Sequence, residues 1–461
     1  MSNNTSTLDP LTAFQWKQQP ETAAWVNKMV GDFVAGFPVA ACMAGRMRDE
    51  AGTRFLDWVD TIFISGGEPH VSKLREVGYE PDPLAEAGLA VWWQPHGVFP
   101  RVVLQDASVT KILLKVDSVA TFLATNDIQA KIEGEPLGQL RMATVAAEGK
   151  YALGVVERHG HRGYEIPKPN AEKALLAVKA LDAFRTRKRD FATDEQSFAH
   201  ANDLVDAYIK PLGVAWVCDL FFEAERQYWM KRNRAAQVQY ARQQKIGLGW
   251  ANHDHHTYRS SRRHFAALVG LWEKLGFNCR ERYHAGMQAG WGAQVMEDPI
   301  TGITTFNDVD LSPEELFNDF AHDAMSERDT LGTVGLWCAL HGEAVHQSGM
   351  HHLECMFDFD ALKVQLETES VKTMNPFTNF TYLRQAFTEG ERWVVKENRL
   401  QALLKIGRIT EEQAAQFRTQ GAIGSHLENL ERNDGFKGFN QKGVSEIISA
   451  TDPRKQVKQP A

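Results

Sequence analysis

The chain has 461 residues, 43% of them hydrophobic and 24% charged, with a net charge of -8 and a pI near 6.1. That balance suits a folded protein with more than one core, and an acidic chain with no basic run set among aromatics gives no support for nucleic-acid binding. Five widely spaced cysteines without a CxxC pair read as reduced thiols of a cytoplasmic chain, and no signal-like N-terminus or apolar run near the roughly 20 residues of a membrane span is seen.

From Leu11 to about Asp60 apolar residues recur at helical spacing, with Pro20 opening a helix, so residues 1–88 are expected to form a helical lead-in. Residues 89–245 are expected to hold a first βαβββ-like module with linking helices. Its strands are AVWWQ, RVVLQ, KILLKV, LRMATVAA and YALGVVERHG, and VDSVATFLATND is a helix after KILLKV. A helix capped by Asn170 follows, then a polar, arginine-rich helix over 221–244 that reads as a solvated connector and as a candidate surface for a homo-oligomer. The strand-helix order returns over 246–390, expected as a second module that binds metal. GLGWANHDHHTYR is its first strand, Ser261 caps a helix that Gly276 stops, and NCRERYHAG, GWGAQVMED and ITTFNDVDL are further strands. A helix near SPEELFNDFAHDAM and two strand-like runs, TVGLWCALHG and MHHLECMFDFD, complete it. Residues 391–461 read as a helical C-terminal region with a capping box at Thr410 and Gln413 and a disordered tail from DPRKQ onward. The fold class is α+β with a repeated element order.

Three clusters carry metal-type chemistry. Side chains two apart share a strand face, so His253, His255 and Thr257 are expected together, opposite Asp254, His256 and Tyr258. In MHHLECMFDF, His352 and Glu354 point together, and a glutamate in so apolar a run is costly to bury unless paired or coordinated. His159 and His161 share a face in VVERHGHRGYE. Two histidines and one carboxylate on one side of an iron, with other positions open, is the facial triad of non-haem Fe(II) enzymes. For each histidine the alternative is a hydrogen-bonded core residue. Arg259, four residues after His255, is placed to grip a substrate carboxylate through two parallel hydrogen bonds or to form a surface ion pair. Arg262 and Arg263 in a first helical turn call for acidic neighbours or an anion. HGEAVH has its histidines five apart and does not make a zinc-protease helix, and GxSxG, Walker and GxGxxG signals are missing.

The element order over about 110–165 and 250–310, with HDHH early in a module and HLE in a late strand, resembles the vicinal-oxygen-chelate superfamily. Within it, ERHGHR, HHTYR and HLEC are similar to the metal-binding segments of the 2-oxoadipate dioxygenase/decarboxylase (hydroxyglutarate synthase) family. The resemblance implies paired βαβββ modules forming a curved sheet around a metal site, with helical additions at both ends. It implies His159, His255 and Glu354 as ligands of a divalent metal, Fe(II) first and Zn(II) or Mn(II) as alternatives, and Arg259 as the contact to a carboxylate-bearing small-molecule substrate. His256 or His352 would orient ligands or move protons. The expected activity is an Fe(II) oxygenase acting on a small 2-oxo acid, decarboxylating in its specific form. A lyase or isomerase of the same fold, or a non-catalytic binding protein, is the alternative.

Overall fold

The computed structural model describes residues 15–286, 289–440, 452 and 454; all of the expected tail except Asp452 and Arg454 lies outside them. Helix α1 (Pro20–Gly36) opens on the expected proline, and α2 (Pro38–Arg46) follows it. The lead-in does not stay helical. Strand β1 (Val59–Ser65) alternates, with Ile62 and Ile64 packed into the core under α1 while Thr61 and Phe63 face the other way. The helical period read from Leu11 to about Asp60, within a lead-in expected to reach residue 88, does not extend into this β-branched run.

β1 begins a module: α3 (Glu68–Glu76), β2 (Glu80–Pro81), β3 (Ala90–Trp93) and β4 (Arg101–Gln105) complete it. A second follows as β5 (Thr110–Lys115), α4 (Val119–Thr125), β6 (Ile132–Glu133), β7 (Leu140–Glu148) and β8 (Tyr151–Arg158). The two join where β1 pairs antiparallel with β5, giving one curved sheet of order β2-β3-β4-β1-β5-β8-β7-β6.

Four helices come next: α5 (Ala171–Thr186), capped by the Asn170 side chain as expected, α6 (Asp194–Leu212), α7 (Val214–Met230) and α8 (Arg234–Gln244). The 221–244 connector is two helices, broken at Asn233, whose side chain caps α8. It is not solvated on most faces: Phe221, Phe222, Ala224, Glu225 and Trp229 are buried. One of its charges is paired inside, Glu225 Oε1 meeting Arg187 Nη1 at 2.6 Å and Arg189 Nη2 at 2.5 Å.

The second sheet repeats the first. β9 (His253–Arg259), α9 (Phe265–Lys274), β10 (Asn278–His284), β11 (Trp291–Glu297) and β12 (Thr304–Asp310) form a third module. After α10 (Thr333–His341), the fourth is β13 (His352–Met356), α11 (Phe359–Thr368), β14 (Thr378–Phe380), β15 (Leu383–Phe387) and β17 (Ala422–Arg432). The strand β16 (Glu391–Trp393) and helices α12 (Glu397–Lys405) and α13 (Glu411–Gln420), the last opened by the expected Thr410–Gln413 capping box, are inserted before β17. The order β10-β11-β12-β9-β13-β17-β15-β14 mirrors the first sheet, with β9 against β13 as the antiparallel joint. The two modules legible in sequence, 110–158 and 253–310, are therefore not partners; each pairs with a neighbour that its own sequence order hides.

Three local expectations are corrected. TVGLWCALHG is α10, not a strand: it is buried all round and shows no alternation, so its period could not decide. The Asp310 carboxylate accepts from the N–H groups of Gly332, Val334 and Gly335 at 2.7–3.0 Å, capping α10 from another strand. SPEELFNDFAHDAM yields only a short 3-10 turn over Pro313–Phe317. Ser261 does not cap α9, which starts at Phe265.

Ser261 instead hydrogen-bonds His264, which lies 3.4 Å from Glu343 Oε1 and 3.2 Å from Glu195 Oε1. Burial pulls the His264 pKa down, but Glu343 and Glu195 outweigh it and hold it up at about 9. A folded-state value above the unfolded value means stability that is fully present below about pH 6.5 and is lost as pH rises toward 9. His264→Gln is expected to lower Tm most at pH 6 and to converge on the parent near pH 9; a pH-independent gap would remove the charge from the account.

Candidate metal centre

Strand alternation sets the site. On β9, His256 and Tyr258 face the helices, with ring centroids 5.2 Å from Phe222 and 4.8 Å from Trp272 respectively. His255 and Thr257 face the opposite way. Pairing with β13 sets His255 against Glu354 and Thr257 against His352, and parallel pairing of β13 with β17 sets His352 beside His426 and Glu354 beside Glu428. Paired residues on adjacent strands present one face, so imidazoles and carboxylates from three strands collect there.

The distances are short. Glu354 Oε1 lies 2.8 Å from His255 Nε2 and 2.7 Å from His352 Nε2, and Glu428 Oε2 lies 3.7 Å from His352 Nε2. Thr257 Oγ1 donates to Glu354 at 3.2 Å. Donor atoms of His255, Glu354 and Glu428 all fall within 4.8 Å of one another. No lysine or arginine forms an ion pair with either glutamate among the described residues. Burial, with Glu428 alongside, pushes Glu354 well up, and burial pushes Glu428 to about 7. Both Glu428 oxygens and His352 Nδ1 are buried without a hydrogen-bond partner.

His255 is oriented from behind. Its Nδ1 lies 2.7 Å from Asp254 Oδ2, and Arg432 grips the same carboxylate at 2.7 and 3.0 Å. Despite burial, Arg432 and His255 hold Asp254 ionised. Burial lowers His255 to about 4, so the neutral ring donates its Nδ1–H as a hydrogen bond to the Asp254 carboxylate and turns the Nε2 lone pair toward the glutamates. A neutral imidazole set by an outer carboxylate is the arrangement of metal-ligating histidines. Two imidazole nitrogens and a buried, otherwise unpaired carboxylate pair fit a divalent transition metal.

These groups line a cavity of about 80 Å3 walled by Tyr283, Trp291, Phe306, Phe377, Phe387 and Phe439. Arg259 lines it too: its Nε meets Asp308 Oδ2 at 3.4 Å and its guanidinium lies over Trp337 at 5.7 Å, with no other polar partner among the described residues. Burial pushes Asp308 up to about 7 against the pull of Arg259. His351 and His426 border the cavity, each fixed through Nδ1 to a backbone carbonyl, Gly424 and Thr388.

The structure brings together His255, His352, Glu354 and Arg259 of the expected residues and leaves two apart. His159 is not brought to His255: it is clamped between Asp219 at 2.9 Å and Glu157 at 3.1 Å and lines a different cavity. His161, its neighbour, lies 3.6 Å from Glu86. His256 lies on the helix side, its Nε2 3.3 Å from Arg226 Nη1. His253 does not share the face of His255, because a register shift between Glu354 and Cys355 turns it toward His256, with ring centroids 5.1 Å apart. Arg262 and Arg263 have acidic neighbours, Glu315 at 2.6 Å and Glu195 at 2.8 Å. Sequence reasoning missed Glu428, yet a signal was present: His426-Leu427-Glu428 repeats His352-Leu353-Glu354, and the two tripeptides lie side by side. The same face of the first sheet carries Phe63, Leu113, Met142 and Val156 and collects no such donors among the described residues.

No family model and no curated protein matches the chain. Solved structures do. A Shewanella frigidimarina protein named as a candidate hydrolase is 14% identical over 48% of this chain and 97% of its own, with a TM-score of 0.33. Methylmalonyl-CoA epimerase from Mycobacterium tuberculosis is 12% identical over 40% and 88%, with a TM-score of 0.23. A triple variant of 4-hydroxymandelate synthase from Streptomyces coelicolor is 10% identical over 87% and 98%, with a TM-score of 0.25. At these scores the matches carry no argument about function, and what the chain itself shows is two sheets, each made of two βαβββ modules joined edge to edge. Among the described residues no helix is long and apolar enough to cross a membrane, and the five cysteines are unpaired.

Proposed function

We propose that the chain is a non-haem Fe(II)-dependent oxygenase acting on a small 2-oxo acid or a similar metal-chelating substrate, with loss of carbon dioxide in the reaction. The observation that supports this is the convergence of His255 Nε2, His352 Nε2 and the Glu354 and Glu428 carboxylates in the cavity that Arg259 also lines. Those donors suit Fe(II), and Zn(II) or Mn(II) less specifically. When bound, the cation supplies Lewis acidity and a template on which substrate oxygens and dioxygen meet.

The chain's own residues do the rest. His352 acts as a ligand in this reading rather than as a proton carrier. Asp254 and Arg432 keep His255 neutral and aimed. The Arg259 terminal amines take a substrate carboxylate through paired hydrogen bonds. Asp308, 3.4 Å from Arg259 Nε and with its carboxyl pushed up by burial to about 7, is placed to hold or release a proton there. The aromatic wall excludes water, which strengthens each of these charge interactions.

The test is protein loaded anaerobically with Fe(II), then mixed with five- and six-carbon 2-oxo dicarboxylates and air. Dioxygen uptake matched by carbon dioxide release is expected. Substrate turnover without dioxygen uptake would favour the lyase or isomerase reading, and a protein that takes up no stoichiometric metal would leave only a binding protein.

A further inference from the structure

A cavity of about 400 Å3 between the β5 and β8 ends of the first sheet and helices α5, α7 and α8 takes no part in that reading. Four carboxylates line it, and each is engaged. Glu157 and Asp219 clamp His159, and Arg141 Nη1 adds a contact to Glu157 at 3.3 Å. Asp117 Oδ2 accepts from the Trp250 N–H at 2.7 Å and Glu223 Oε1 from Gln227 Nε2 at 2.9 Å. Burial pushes the Asp117 and Glu223 carboxyls up, against the opposing pull of Arg226 on both. Of the cations, Arg158 is spent on Asp60 at 2.9 and 3.0 Å.

Lys115 and Arg226 differ. Neither forms an ion pair among the described residues: the polar contact of Arg226 is to His256 Nε2 at 3.3 Å, and Lys115 has none. Beside them His253 has a buried Nδ1 without a partner. The remaining wall includes Leu137, Val178, Leu181 and Leu220, and Leu137 and Val178 stay 56% and 40% exposed. Burial lowers the Lys115 pKa, and only charges without direct contact, Asp60 and Asp219 on Lys115 and Asp117 and Glu223 on Arg226, offset the two cations, so an anion in direct contact would stabilise both, and an apolar wall suits an aliphatic tail.

We infer that this cavity binds a small aliphatic monocarboxylate, its carboxylate held by Lys115 and Arg226 and its tail against Leu137, Val178, Leu181 and Leu220, as a ligand site separate from the metal centre. The probe is octanoate titrated calorimetrically into the full-length protein, with octan-1-ol as the uncharged comparator. Saturable one-site binding is expected for octanoate and not for the alcohol. Lys115→Gln should weaken it by at least about tenfold, while Lys115→Arg, which keeps the charge, stays within a few-fold of the parent. Glu428→Gln should leave octanoate binding unchanged. No saturable binding, equal binding of the alcohol, parental affinity in Lys115→Gln, or binding lost in Glu428→Gln but kept in Lys115→Gln would each overturn the assignment.

Discussion

Glu428→Gln is expected to reduce metal affinity by at least about 100-fold, beyond the roughly 10–100-fold that losing an outer-shell partner costs. The Glu428 carboxylate is buried, forms no ion pair with a lysine or arginine among the described residues, and faces Gln385, a second glutamate and imidazoles that burial keeps neutral. The amide removes the charge while keeping the shape, so the metal-free protein should be no less stable and may be compared directly with the parent. Asp254→Asn supplies the graded control. It leaves every donor in place but loosens the hold on the His255 tautomer, and it should cost about 10–100-fold. Equilibrium dialysis against Mn(II) followed by metal analysis, with Tm measured on the same samples, reads both. Parental occupancy in Glu428→Gln would take Glu428 out of the centre.

The largest loss of stability is expected from Glu225→Gln. Arg187 and Arg189 both end on Glu225 Oε1, and all three side chains are buried. The two guanidiniums also donate to the Val345 and His346 carbonyls, so the triad ties α7 to the segment that carries Glu343. Removing the carboxylate charge leaves two buried cations facing each other, and breaking a buried pair in this way costs about 3–5 kcal/mol. Urea unfolding monitored by tryptophan fluorescence should show a midpoint shift with an unchanged slope. A loss below about 1 kcal/mol would mean that water reaches the guanidiniums.

Much of the fold was legible where the signal is local. The Asn170 and Thr410 caps, the proline start at 20 and the apolar face of α9 depend on residues within a turn or two of each other, and they stand as expected. So do the strand-helix-strand orders over 110–158 and 253–310. Two of the failures involve a distant partner. α10 is helical in part because Asp310 caps it from β12. The 221–244 helices read as solvated, but Glu225 there is buried against Arg187 and Arg189 from before α6.

The candidate centre divides the same way. By itself the sequence determined the residue types and their faces on each strand: His255 and Thr257 on β9, His352 and Glu354 on β13, because alternation is a property of a single extended chain. Only the tertiary structure decided which strands meet. It drew Glu428 in through parallel pairing of two HLE tripeptides and left His159 on the other sheet, because strand pairing is chosen by the burial of whole faces and leaves no mark at a fixed sequence spacing.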